Sequence, residues 1–132
     1  MAVKLTDDEV ALLQGDQIAH LASVMADGSP HVTPVWVDTD GEVILCNIVK
    51  GGVKHRNLSR DPRVAVSVTD RQNNYRRVVA RGRAELIEEG ADEHIDKLAK
   101  KYLGVDTYPM RTPGMVRVTV RIVPERVHRF AR

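Results

Sequence analysis

Apolar and polar positions alternate with a period near two through most of this chain, the pattern of strands half-buried in a sheet. Val64, Val66 and Val68 alternate with Ala65 and Ser67, and Val116, Val118, Val120 and Ile122 with Arg117, Thr119 and Arg121. In the longest such stretch, residues 75–87, Val78, Ala80, Gly82, Ala84 and Leu86 share one face while Arg77, Arg81, Arg83 and Glu85 line the other. Residues 18–25, 31–37 and 42–49 are further strands, separated by the turn sequences Asp27-Gly28-Ser29-Pro30 and Asp38-Thr39-Asp40-Gly41. Three consecutive strands joined by tight turns predict an antiparallel meander. Residues 127–130 add a short final strand after Pro124, which closes the strand over 115–123.

Helical signals are fewer. Thr6-Asp7-Asp8-Glu9 is a capping-box pattern and predicts a helix over 7–14. Residues 53–59 fit two helical turns, stopped by Asp61-Pro62 because the residue before a proline disfavours helix. The amphipathic helix is 91–103, with Ile95, Leu98, Ala99 and Tyr102 on one face and Gly104 as its stop. A loop over 105–114 follows. Six or seven strands with peripheral helices predict a mainly β (α+β) protein, a small Greek-key barrel.

Composition strengthens this picture. Twenty valines and six isoleucines against nine leucines are a β-branched excess suited to a pleated sheet. A length of 132 residues fits one domain, 1–132. No apolar run approaches the roughly 20 residues of a membrane helix, and the start MAVKLTDDEV lacks the apolar stretch of a signal peptide, so the expectation is a cytoplasmic protein without a membrane partner. The single cysteine, Cys46, excludes an internal disulfide or a redox dithiol and reads as a buried apolar thiol.

Charge is unevenly placed: residues 50–83 hold ten Lys/Arg and two Asp, +8 of a chain whose net charge is +2. Within that block Lys50, Lys54, Arg56, Arg60 and Arg63 surround Gly51-Gly52 and the start of a short helix. Glycine amides, a helix N-terminus and cations together suit a phosphate, although a solvated basic face has the same composition. Pro34 interrupts a strand, which is tolerated at an edge or bulge and leaves the backbone around Thr33, Val35 and Trp36 open to a flat heterocycle or simply to water. The five histidines show no metal spacing, and none of the common hydrolase or nucleotide-binding motifs occurs, so an enzyme here would draw its reactivity from a cofactor. Nucleic acid is the competing partner class for the basic block, but five aromatic residues offer little for bases to stack on, and it is not expected as a partner. An interaction module without a ligand is the other alternative.

Three strings carry a resemblance: His20-Leu21-Ala22-Ser23-Val24, the stretch from Asp27 through Thr33-Pro34-Val35-Trp36-Val37, and Lys54-His55-Arg56-Asn57-Leu58-Ser59-Arg60-Asp61-Pro62-Arg63. With Gly82-Arg83-Ala84-Glu85, Lys101-Tyr102-Leu103-Gly104 and Arg121-Ile122-Val123-Pro124, they resemble the pyridoxamine-phosphate-oxidase-like (PPOX class) split β-barrels that use coenzyme F420, flavin/deazaflavin oxidoreductase group B. The resemblance implies an FMN-binding-like split barrel, a homodimer with two cofactors at its interface, and hydride transfer from reduced F420 to a small conjugated or planar acceptor. It also implies that Thr33, Pro34, Val35 and Trp36 face the cofactor ring, while Lys54 and Arg56, with Asn57 nearby, hold the phosphate and acidic tail. Asn47-Ile48 and Gly51-Gly52 stand where many members carry Thr or Ser and then an Arg. Asn47 keeps a hydrogen-bond donor, Lys50 supplies a cation, and FMN stays open as the alternative cofactor, as does a protein that binds without catalysing. For the proton that accompanies hydride transfer the candidates are Tyr75, His31 and water, with Tyr75 preferred because it opens a strand where a partner subunit could present it.

Overall fold

The computed structural model of the chain describes residues 2–129. The elements run α1 (Asp7–Gln14), β1 (Ala19–Val24), β2 (Pro30–Val35), β3 (Asp38–Thr39), β4 (Ile44–Val49), α2 (Val53–Arg60), β5 (Arg63–Asp70), β6 (Asn73–Ile87), α3 (Ala91–Leu103) and β7 (Arg117–Val127). The helix expectations hold closely. Thr6 Oγ1 accepts from the Glu9 amide at 3.1 Å and Glu9 Oε1 accepts from the Thr6 amide at 2.8 Å, completing the capping box of α1. Gly104 ends α3 at φ 73°, a left-handed conformation that costs glycine nothing. No helix among the described residues is long and apolar enough to cross a membrane.

All seven strands join one antiparallel, curled sheet in the order β2-β1-β5-β6-β7-β4-β3, the half-barrel of a split β-barrel. The expected three-strand meander is corrected by this order. β1 and β2 form the hairpin, but β4 pairs with β7 and not with β2. The turn after β2 carries the chain across to the other end of the sheet, because alternation fixes which face of a strand is buried but not which strand lies beside it. The loop between β5 and β6 is tight, only Arg71 and Gln72 standing outside the two strands.

The final strand is one element, not two. β7 runs through Pro124, which lies beyond the last β4 pair at Ile122; there the missing amide breaks no β4 ladder bond, and the Pro124 carbonyl accepts from the Val3 amide at 2.7 Å. Opposite Pro124 is Gly82, beside a register shift at Arg81/Gly82. A Cβ on Gly82 would lie 1.9 Å from the Val123 carbonyl oxygen, so the two backbones meet closely only because that residue is glycine. Strand pairing ends at Val127; of the expected terminal strand over 127–130, Phe130 lies outside the described residues.

The barrel core is built from the alternating apolar residues, among them Leu21, Val37, Ile44, Val66, Val68, Val78, Val118, Val120 and Ile122, joined by Leu12 and Leu13 of α1 and Leu58 of α2. Cys46 sits inside it, where burial pushes the thiol up to about 12. α3 packs against β4 and β7 through Ile95, Leu98 and Ala99. Two of its last residues tie the sheet to α1. Lys101 Nζ donates to the Val37 and Leu13 carbonyls, and the Tyr102 hydroxyl accepts from the Val37 amide at 3.1 Å and donates to the Gln17 carbonyl.

Candidate cofactor cleft

Because the sheet curls, β2 and β4 face each other across a cleft of about 800 Å³ without bonding to one another. β2 pairs with β1 alone, and β4 beyond Leu45 pairs only with β7, so each presents an edge not claimed by another strand. An edge of this kind offers backbone donors and acceptors to whatever enters. Pro34 lies on the β2 edge, as an interrupted strand requires. The first turn of α2 and the loop before β7 close the ends of the cleft, and α3 contributes Ile95 and Leu98 to its apolar wall.

The structure gathers Thr33, Pro34, Val35, Trp36, Asn47, Ile48 and Lys54 around this one cleft. Lys54 Nζ donates to Thr33 Oγ1 at 3.2 Å, bridging α2 to the β2 edge. The N-cap of α2 is Gly52, which has no side chain to satisfy the first amides of the helix. Trp36 is stacked on Tyr102 at 5.2 Å and meets Tyr108 edge-on at 6.0 Å, so one indole forms a flat wall between α3 and the loop.

The other predicted site residues do not line the cleft. Arg56 Nη1 donates to the Gly51 carbonyl at 2.7 Å, and the Gly51 amide donates to His55 Nδ1 at 3.0 Å, so the glycine loop is folded onto α2 and its groups are partly spent. Asn57 is buried beneath β1, where Nδ2 donates to Ser23 Oγ at 3.1 Å, and its Oδ1 accepts from Arg60. Lys50 forms an exposed ion pair with Glu88 at 2.9 Å. Tyr75 is 69% exposed at the start of β6.

The +8 block is therefore not one anion-facing surface. Arg63 pairs with Asp61, Arg71 with Asp16, and Arg76 with both Asp8 and Asp70. Sequence neighbours scatter because α2, β5 and β6 point their side chains in different directions, and only Lys54 of the five clustered cations reaches the cleft.

One residue of the cleft escapes the sequence pattern. Arg117 alternates with valines and so reads as a solvent-facing position, yet it is only 7% exposed and lines the cleft from β7. Its Nε donates to Asn47 Oδ1 at 2.7 Å, and the Tyr108 ring lies 5.1 Å from its Cζ. Asn47 in turn donates from Nδ2 to the Ala91 carbonyl at 2.9 Å and meets His94 Nδ1 at 3.2 Å. Burial holds the His94 pKa below its ordinary value despite the pull of Asp38, so the ring is neutral at pH 7 and Nδ1 is free to accept. His31 also lines the cleft, and its buried Nδ1 has no hydrogen-bond partner. Among the described residues no aspartate or glutamate lines the cleft.

Residues 5–130 match the family described as pyridoxamine 5'-phosphate oxidase. The chain belongs to that family. The pyridoxamine 5'-phosphate oxidase family is of oxidoreductase type and binds flavin-like cofactors. Among solved structures the chain resembles one described as an F420 reductase, at 30% identity and a TM-score of 0.80, covering 94% of this chain and 98% of that one. A conserved hypothetical protein from Mycobacterium tuberculosis matches at 28% identity and a TM-score of 0.73, over 96% of this chain and 84% of its own. HupZ of Group A Streptococcus shares the pyridoxamine 5'-phosphate oxidase-like fold at 25% identity and a TM-score of 0.68, over 93% and 91% of the two chains.

Proposed function

We propose that this protein is a group B flavin/deazaflavin oxidoreductase that binds coenzyme F420 in the cleft between β2 and β4 and reduces a small planar or conjugated acceptor there. The observation that carries this reading is a cleft bounded by two free strand edges, with an indole wall and two cations, Lys54 and Arg117, neither of them ion-paired to a carboxylate among the described residues. A deazaflavin presents a flat ring and a phosphate, and these residues fit both. Trp36 and the β2 edge suit the ring; Lys54 and the uncapped first turn of α2 suit the phosphate. The 30% identity to the F420 reductase favours F420 over FMN.

When bound, the reduced deazaflavin supplies a hydride. The chain's part is to align the acceptor on the ring and to keep water out, through the apolar wall of Val35, Ile48, Ile95 and Leu98. A proton must also reach the product. His31 stands in the cleft of its own chain, whereas Tyr75 reaches such a cleft only if a second copy presents it, so Tyr75 belongs to the reading in which the protein works as a homodimer.

Titrating the purified protein with F420 and with FMN, followed by absorbance and fluorescence, tests the proposal. Tighter binding of F420 is expected. Binding of FMN alone would replace the cofactor, and binding of neither would refute the oxidoreductase reading. Full turnover by Tyr75→Phe with a working acceptor would remove the tyrosine as proton donor.

A further inference from the structure

An arginine side chain presents five N–H donors in a rigid plane; in Arg117 Nε donates to Asn47 Oδ1 at 2.7 Å, and the Tyr108 side chain is a second hydrogen-bond partner, so part of the fork stays open. Of the rest, Nη1 lies 3.8 Å from the Met115 sulfur, a weak acceptor, and the face of the group is covered by the Tyr108 ring. Burial opposes the charge of this guanidinium, and no carboxylate stands within ion-pairing distance of it among the described residues. Carboxylates on neighbouring elements are engaged elsewhere. Asp92 and Asp96 of α3 hold Arg111 at 2.9 and 2.6 Å, and Asp38 holds Lys97 at 3.3 Å. Asp92 pulls on the group only from beyond contact, and a buried cation with no carboxylate in contact is a costly arrangement unless something completes it.

The group is also oriented. Asn47 is fixed through Nδ2 by the Ala91 carbonyl and His94, which turns its Oδ1 toward Arg117 and leaves the outer edge of the guanidinium facing the cleft that Trp36 and Tyr108 flank. A planar fork beside a planar slot matches a carboxylate conjugated to a flat body.

We propose that Arg117 reads the carboxylate of the acceptor, so that the cleft selects planar conjugated acids over their neutral analogues. This rests on the reading above only in taking the cleft to hold both a cofactor and an acceptor. Lys54, on the opposite side at α2, remains for the cofactor's phosphate. Asn47 and His94 act as positioning residues behind the guanidinium.

The test uses cofactor-free protein and two ligands of the same shape, cinnamate and cinnamamide, measured by calorimetry at low ionic strength. Fluorescence of Trp36, the only tryptophan and itself in the cleft, reports that they bind there. Wild type should bind cinnamate at least tenfold more tightly than cinnamamide, and Arg117→Met should remove the difference while cinnamamide affinity stays within twofold. Arg117→Lys should restore part of the preference. Should Arg117→Met fail to fold, Asn47→Asp places a carboxylate against the guanidinium from within and is expected to abolish the preference by itself. No preference in wild type, a preference that survives both Arg117→Met and Asn47→Asp, or one removed equally by Lys54→Met would overturn the proposal. So would a tenfold loss of F420 or FMN affinity in Arg117→Met, which would assign the anion to the cofactor. Because the preference is read without cofactor, failure of F420 and FMN to bind, which refutes the oxidoreductase reading, neither creates nor removes it.

Discussion

Replacing Lys54 by methionine keeps the length of the side chain and removes its charge. Among the described residues the ammonium has one partner, Thr33 Oγ1 at 3.2 Å, and no carboxylate, so little of the fold depends on it. Thr33 lies on a strand edge and can turn its hydroxyl to water. Stability should therefore change by less than about 1 kcal/mol, the range of an exposed polar contact. With a phosphate bound, the same ammonium makes a charge-assisted hydrogen bond worth about 1.5–3 kcal/mol. That corresponds to a loss of about 10- to 150-fold in cofactor affinity. Titration of F420 into wild type and Lys54→Met, at low and at physiological salt, measures this directly, and the wild-type advantage should narrow as salt rises. Lys50→Met is the comparison: its charge is spent on Glu88 outside the cleft, and its effect should stay below about 1 kcal/mol. Equal affinity in Lys54→Met and wild type would show that the phosphate lies elsewhere. So would an equal loss for the phosphate-free deazaflavin chromophore, because the lysine would then act on the ring or on the shape of the cleft.

Gly82→Ala forces a Cβ against the Val123 carbonyl oxygen, a backbone atom 1.9 Å away, and should destabilise the protein by about 3 kcal/mol or more in chemical denaturation; a change within experimental error would mean that β6 and β7 part there freely. Asn57→Ala strips partners from Ser23 and Arg60 at a buried site and should cost about 1–3 kcal/mol of stability, with F420 affinity preserved in the folded fraction; selective loss of cofactor binding would instead make Asn57 a ligand residue. Burial keeps His94 below its ordinary pKa of 6.5, so the unfolded chain takes up that proton first and stability falls as pH drops below about 6.5. His94→Gln should flatten this fall below about pH 6.5, while Glu9, whose pKa is lowered against burial by its bonds to Arg129 and Thr6, contributes stability that is lost only below about 4.5; an unchanged pH profile in His94→Gln would assign the slope to other groups.

What the sequence determined by itself was everything local. The capping box of Thr6 and Glu9, the stop at Gly104, the amphipathic face of α3 and the buried face of β6 all arise from neighbours within a turn or a strand, and each stands where the pattern puts it. Pro34 announced a strand edge or bulge for the same reason, since a missing amide is a property of one residue. Strand order was not legible, because a strand with one apolar face pairs equally well with any similar strand; only the closing of the core sent β4 to β7 and opened the cleft opposite β2. Side-chain destinations within the basic block were hidden too. Lys54, Arg56 and Asn57 lie within four residues, yet the helical turn sends one to the cleft, one to a backbone carbonyl and one into the core. Arg117 shows the same limit from the other side. Alternation marks its side chain as leaving the barrel core, but only the packing of α3 and the loop around Tyr108 turns that outer face into the buried wall of the cleft.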